Sequence, residues 1–202
     1  MKIYLIRHGQ TDWNLAGRIQ GSHDISLNET GRRQAEYLAR GMKKRPVVQI
    51  FSSKKKRAME TANAIGASQG VKVIPLDGLE EVEFGLWEGM TWKEIQEKYP
   101  EEYKIWQKEP AEITPPGGES RQQVYERVGK AADEIVKRAE GDVAVVSHGA
   151  ALAYMLSYMM RKSLGRHEEI IVENVSISTV EYDKDTGMYT LIELNDTSHL
   201  PG

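Results

Sequence analysis

Ile3-Tyr4-Leu5-Ile6-Arg7-His8-Gly9 is the stretch on which the reading of this chain turns. Consecutive apolar residues read as a buried strand, and the run ends in Arg, His and Gly. Glycine lets the backbone turn and approach a ligand closely. Loops just past strand ends are where open α/β sheets bind ligands. A histidine beside a guanidinium at such a place suits one chemistry, a nucleophilic imidazole next to a group that grips phosphate.

The pattern returns late in the chain. Residues 142–146 are nearly all apolar and lead into Ser147-His148-Gly149, where an apolar helical stretch begins. Backbone N–H groups at a helix start favour an anion, so two strand-end histidines, each followed by Gly, point to one shared pocket. Outward from these motifs, strands are predicted at 2–6, 47–51 and 71–75, and a terminal hairpin at 176–182 and 188–194 around Asp185-Thr186-Gly187. Helices are predicted from Asn28-Glu29-Thr30 with Ala35, Leu38, Ala39 and Met42 on one face, and from near Lys55 with Ala58, Met59, Ala62 and Ile65 inward. A long amphipathic helix is predicted over 119–140. Strands alternating with helices predict an α/β fold of three layers, α/β/α, with a mostly parallel central sheet and an antiparallel edge. Residues 85–117 are Trp-rich and broken by Pro100, Pro110, Pro115 and Pro116, and they read as a small helical cap within one domain spanning 1–202.

Composition narrows the function classes. The 202 residues carry a formal charge of −3, which argues against a dedicated nucleic-acid or membrane-surface binder. No apolar stretch approaches the roughly 20 residues that cross a bilayer. The chain opens directly on a strand pattern without a signal-peptide h-region, so a cytoplasmic location is the expectation. Cysteine is absent, which removes disulfides, thiolate metal sites and a thiol nucleophile. His23, His167 and His199 have no metal-ligand spacing and read as surface histidines, with His199 on a tail that could fold over the site.

Arg7-His8-Gly9-Gln10-Thr11-Asp12-Trp13-Asn14 resembles the signature of the histidine phosphatase superfamily, the phosphoglycerate-mutase-like enzymes. Further segments resemble family patterns in the same order: Gln20-Gly21, Leu27 to Ala35, Arg57-Ala58-Met59-Glu60-Thr61-Ala62, Leu79 to Gly89, and Ser147-His148-Gly149. The chain is similar to the branch that holds broad-specificity and α-ribazole phosphatases. It departs from the family at Lys54 and Lys55, where an acidic and an apolar residue are common. These lysines, with Lys56, read as a solvated face.

The resemblance implies a role for each residue. His8 would attack phosphorus in line and form a phosphohistidine, with the Gly9 carbonyl the candidate to hold its other nitrogen. Arg7 and Arg57 would clamp the equatorial oxygens, and His148 would add a donor, strongest when protonated. Asn14 and the Gly149 N–H would contribute further donors, and Gln20 and Gly21 would touch substrate. No metal and no cofactor are implied. The leaving alkoxide needs an acid, and Glu80, Glu81 and Glu83 are candidates. The family pattern counted back from Gly85 and Trp87 selects Glu81; in an extended stretch Glu83 shares its face and is the competitor. Trp87, Trp92 and Trp106 are candidates to line the pocket, and Pro116 to Ser120 reads as a loop and helix start.

The resemblance implies phosphoryl transfer either to water or to a second acceptor. The mutase branch carries Arg-His-Tyr-Gly directly after its acid, whereas Glu81 is followed here by Val82-Glu83-Phe84-Gly85, which supplies no cation. The expected activity is therefore hydrolysis of a small phosphorylated metabolite. A phosphoglycerate mutase and an inactive phospholigand-binding module are the alternatives. Oligomeric state does not follow from the sequence.

Overall fold

The computed structural model describes residues 1–108, 113–161 and 170–201, so Pro110 and His167 lie outside the described residues. In chain order the elements are β1 (Lys2–Arg7), α1 (Asp12–Leu15), α2 (Glu29–Met42), β2 (Gln49–Ser52), α3 (Lys56–Gln69) and β3 (Val73–Pro75). A 3₁₀ turn (Gly85–Trp87), α4 (Trp92–Lys98), α5 (Pro100–Lys108), α6 (Arg121–Arg138), β4 (Val143–Ser147), α7 (Gly149–Met159), β5 (Ile177–Asp183) and β6 (Met188–Asp196) follow. Among the described residues, no helix is long and apolar enough to cross a membrane.

The six strands form one sheet in the order β3-β2-β4-β1-β5-β6. β3, β2, β4 and β1 are parallel, while β5 runs against β1 and β6 against β5. Strand side chains alternate between faces, and that alternation divides the core. Ile3, Leu5, Phe51, Val143 and Val145 pack with Val128 of α6 and Leu152 of α7. Tyr4, Ile6, Ile50, Ala144 and Val146 pack on the other face with Leu38 and Met42 of α2 and Ala62 and Ile65 of α3. The result is the expected helix–sheet–helix sandwich. Each fully buried aliphatic side chain in it stabilises the fold by about 1.5–3 kcal/mol.

Element ends differ from the sequence reading where side chains claim the backbone. β2 starts at Gln49 because the Val47 N–H is taken by the Gln69 side chain, 3.0 Å away. β3 starts at Val73 because the Val71 N–H bonds the Gly66 carbonyl at the end of α3. α6 starts at Arg121 because Ser120 and Gln123 form a capping box. The one-turn α1, capped by Thr11 and Asn14, is too short to show a helical period.

Residues between β3 and α6 leave the sheet and return at one point. The Glu119 N–H donates to the Glu83 carbonyl at 2.8 Å, and the Glu83 N–H donates to the Glu119 carboxylate at 3.0 Å. Arg127 of α6 closes this neck, donating to the Gly78, Glu80 and Glu81 carbonyls and to both Glu119 oxygens. Beyond the neck, fully buried Trp87 meets Trp92 of α4 and Trp106 of α5 edge to face. The C-terminal tail does not fold over the strand-end pocket. His199 lies against Gly41 of α2 and Leu200 packs on the α2–α3 core, because that face is the apolar one within reach of β6.

Candidate active site

The loops that follow β1, β2 and β4 meet at one end of the sheet because the strands are in register. Arg7 pairs with Ser147, the His8 N–H donates to the Ser147 carbonyl at 3.0 Å, and the Ser53 N–H donates to the Val146 carbonyl at 3.0 Å. This brings the His8 and His148 rings to 5.2 Å between centroids, both buried. The turn after β1 is pressed against the start of α2. A Cβ at Gly9 would sit 2.7 Å from the Gly31 carbonyl oxygen, and one at Gly31 would sit 2.0 Å from that of Gln10. Only glycine fits either place.

His8 Nδ1 lies 2.7 Å from the Gly9 carbonyl, the candidate partner named above. That bond puts the ring proton on Nδ1 and leaves Nε2 with its lone pair. Burial, then the positive charge of Arg7 and Arg57, pushes the His8 pKa well below 6.5; the Gly9 bond opposes the shift. The ring is therefore neutral near pH 7. Its main chain is held too. Asn174 Nδ2 donates to the His8 carbonyl at 2.8 Å, the Val175 N–H to the Arg7 carbonyl at 3.0 Å, and the Gly9 N–H to Thr61 Oγ1 at 3.0 Å.

Arg7 donates one Nη to the Val172 carbonyl at 2.8 Å, while its Nε is buried with no partner. An unsatisfied buried donor on a cation is an arrangement suited to an anion. Arg57 is fully buried in the first turn of α3 rather than solvated as a residue among lysines would be. It donates to the His23 carbonyl at 2.6 Å, the Gly21 carbonyl at 3.1 Å and His148 Nδ1 at 3.1 Å. Burial lowers the pKa of both guanidiniums, and the Glu81 carboxylate opposes that shift.

His148 departs from the expectation of a protonated donor. Burial, then Arg57, His8 and Arg7, hold its pKa well below 6.5. With Nδ1 accepting from Arg57, the ring proton belongs on Nε2, which faces Ser53 Oγ at 2.8 Å. Both nitrogens are occupied and the ring is neutral in the free site.

Of the three glutamates, only Glu81 lines the pocket with Arg7, His8 and Arg57. Its Oε1 accepts from Val82 N at 2.9 Å and Ala151 N at 3.0 Å, and its Oε2 from Ala150 N at 3.4 Å, so the carboxylate sits at the start of α7. Glu83 is exposed on the outside of the neck, and Glu80 accepts from the Gly78 N–H. Asn14, Gln20, Gly21 and Gly149 also line the pocket. The Asn14 side-chain oxygen is consumed by Thr11, which turns its NH₂ end into the donor that remains. Gln20 is buried with its oxygen unpartnered, and Gly21 has φ +48°. Trp92 and Trp106 line the pocket, whereas Trp87 backs them without reaching it. The cleft holds about 360 Å³, room for a small metabolite.

The lysines at 54–56 stay outside. Lys54 pairs with Asp77, Lys56 with Asp24, and Lys55 donates to the Ser22 carbonyl. The sequence reading missed Glu88. Its carboxylate, 8% exposed, accepts from the Ser22 N–H at 2.9 Å, Ser22 Oγ at 2.6 Å and the Phe84 N–H at 3.0 Å. It thereby holds the loop whose Gly21 and His23 carbonyls orient Arg57. Its signal in the sequence was a lone acidic residue between Trp87 and Gly89, indistinguishable from a solvated charge.

The family model of the histidine phosphatase superfamily, branch 1, matches residues 3–197. The chain is 34% identical over 201 residues to phosphoserine phosphatase 1 of Hydrogenobacter thermophilus, covering 99% of this chain and 94% of that protein. It is 37% identical over 205 residues to the metal-independent phosphoserine phosphatase of Arabidopsis thaliana, covering 98% and 83%. The solved structure of Bacillus stearothermophilus YhfR superposes with a TM-score of 0.90 at 30% identity, covering 98% of each chain. The chain belongs to the histidine phosphatase superfamily, branch 1, and its enzyme class is that of a phosphatase.

Proposed function

We propose that the chain is a metal-independent phosphomonoesterase that hydrolyses small phosphorylated metabolites through a phosphohistidine on His8, with Glu81 as general acid and then general base. The observation that carries this reading is the neutral, buried His8, fixed through Nδ1 by the Gly9 carbonyl beside a partnerless Arg7 Nε. Nε2 attacks phosphorus and forms the N–P bond as the P–O bond breaks. Glu81 enters the cycle in its protonated form and gives that proton to the departing oxygen. The resulting carboxylate takes a proton from water as that water attacks phosphohistidine, which frees phosphate and restores His8. Arg7 and Arg57 hold the equatorial oxygens throughout, with Asn14 and the Gly149 N–H as further donors. A bound phosphate dianion favours the protonated form of His148, which then donates as well. Gln20 and Gly21 frame the pocket's first-loop wall. No metal enters any step, and a cytoplasmic setting suits the absence of cysteine.

The test is hydrolysis of p-nitrophenyl phosphate in EDTA by the native chain and by His8→Ala. The expected result is turnover indifferent to EDTA that falls by at least about 10³-fold in the variant, with a phosphoryl adduct seen by intact mass only in the native chain. Turnover retained in His8→Ala overturns the reading. Transfer between the positions of phosphoglycerate that outpaces phosphate release replaces it with a mutase.

A further inference from the structure

The pocket changes character along its length. Away from Arg7, His8 and Arg57 its wall is built from Ile19, Phe84, Trp92, Trp106 and Ala153. The Trp92 and Trp106 rings stack at 5.9 Å and 27°, and Trp106 is braced edge-on by Phe84 at 6.1 Å and Trp87 at 5.5 Å. Trp92 is nevertheless 40% exposed beside the pocket. A second cleft lined by Trp92, Tyr103, Trp106 and Gln107 continues the same aromatic wall outward. A flat, half-exposed aromatic platform gains most from a planar apolar group laid on it.

Arg121 lies over the Trp106 ring at 5.1 Å outside the pocket lining, and the cation that lines this far wall among the described residues is already matched. Arg18 donates to Glu94 Oε2 at 2.9 Å, Glu94 Oε1 at 3.4 Å and the Gly89 carbonyl at 2.5 Å. Glu94 is fixed in turn by the Thr91 N–H at 2.7 Å, as the capping box of α4. The Arg18 backbone is bridged to Thr91 as well, so both partners are held in place. A substrate carboxylate competes with Glu94 for this guanidinium, whereas an apolar leaving group leaves the pair intact.

Resting on the phosphatase reading above, we propose that the leaving-group site takes phosphomonoesters of alcohols bearing an aryl or similarly planar apolar group. Alcohols bearing a carboxylate are disfavoured. The Trp92–Trp106 wall and the Arg18–Glu94 pair set this preference. It separates the chain from the substrate for which its phosphoserine phosphatase relatives are named.

The experiment compares 2-phenylethyl phosphate with O-phosphoserine. Both release alkoxides, so the contrast reports binding of the leaving group rather than its intrinsic reactivity. Native chain is expected to favour 2-phenylethyl phosphate in kcat/KM by at least about tenfold. Trp92→Ala is expected to lower that ratio by about tenfold through loss of the stacking face. Glu94→Gln keeps the oxygen that Thr91 and Arg18 share but removes the charge that neutralises Arg18, and is expected to lower the ratio several-fold by improving phosphoserine alone. Phosphoserine used as well as 2-phenylethyl phosphate by the native chain overturns the proposal while leaving His8-dependent p-nitrophenyl phosphate turnover intact. So does a Trp92→Ala loss shared equally by both esters, which marks a structural role only. Absence of His8-dependent turnover on p-nitrophenyl phosphate removes the catalytic reading and this proposal with it.

Discussion

The two ends of the pocket are built by different rules. At the phosphate end His8 and Arg57 stand at a strand end and a helix start, Glu81 stands on the irregular stretch after β3, and all three are held by hydrogen bonds: His8 by Gly9, Arg57 by Gly21, His23 and His148, and Glu81 by the α7 amides. At the leaving-group end the wall is aromatic, half-exposed and carried by short helices outside the sheet. Catalysis of phosphoryl transfer is mostly positioning and electrostatics, and it needs the rigid end. Recognition of a leaving group needs shape and apolar area, which short helices supply without touching the strands.

That contrast can be broken in stages. Changes at the rigid end should act on all substrates, unless the group acts on the leaving oxygen itself. Glu81→Gln is the exception that sharpens the rule. It is expected to slow alkyl phosphates by about 10²–10⁴-fold, and p-nitrophenyl phosphate, whose leaving group needs no proton, much less. Equal losses in a side-by-side kcat/KM comparison remove Glu81 as the acid. Glu88→Ala frees the loop that orients Arg57 and should raise KM for every ester by roughly tenfold, since small misplacements at a reacting centre are costly. A loss confined to bulky apolar esters would place Glu88 at the other end instead.

The smallest effect is expected from pH. Protonated His8 has no lone pair, so activity falls as pH drops through its folded pKa, which burial holds well below 6.5. A pH profile on p-nitrophenyl phosphate should therefore show no histidine limb near pH 6.5, the ordinary histidine value. The fold pays for this. Below about pH 6.5 the unfolded chain takes up protons that buried His8 and His148 refuse, so the unfolded state binds more protons and stability decreases as pH falls. Urea midpoints measured across that range should decline with acidity, and less steeply in His8→Ala.

Much of the rigid end was legible in the sequence. Strand-end placement of Arg7-His8-Gly9 and Ser147-His148-Gly149 follows from apolar runs that stop, whereas the group that holds the other nitrogen of His8 cannot be named from sequence. Arg57 was legible through resemblance; its neighbours alone suggest a solvated helix face. What remained hidden depends on distant partners. The neutral, doubly bonded state of His148 requires Arg57 and Ser53 to arrive from another element. Glu88 acquires its work only when Ser22 and Phe84 are brought to it. Asn174 lies 166 residues from the carbonyl it holds, and no local pattern encodes that pairing. Trp87, Trp92 and Trp106 were visible as aromatic residues, but their division into backing and wall is set by packing in three dimensions.

The neck closed by Arg127 and Glu119 has an evolutionary consequence. Because Glu83 and Glu119 meet there, the chain between them behaves as a loop with fixed ends. Closing a loop costs only about 0.6 kcal/mol more for each doubling of its length. Changes of length beyond the neck thus carry a small closure cost where they spare Glu88 and the buried Trp87 and Ile95, and none of them shifts the register of β1 against β4. A lineage can exchange one leaving-group specificity for another by rewriting the helices after Glu88, while Glu88 itself stays to hold the loop behind Arg57.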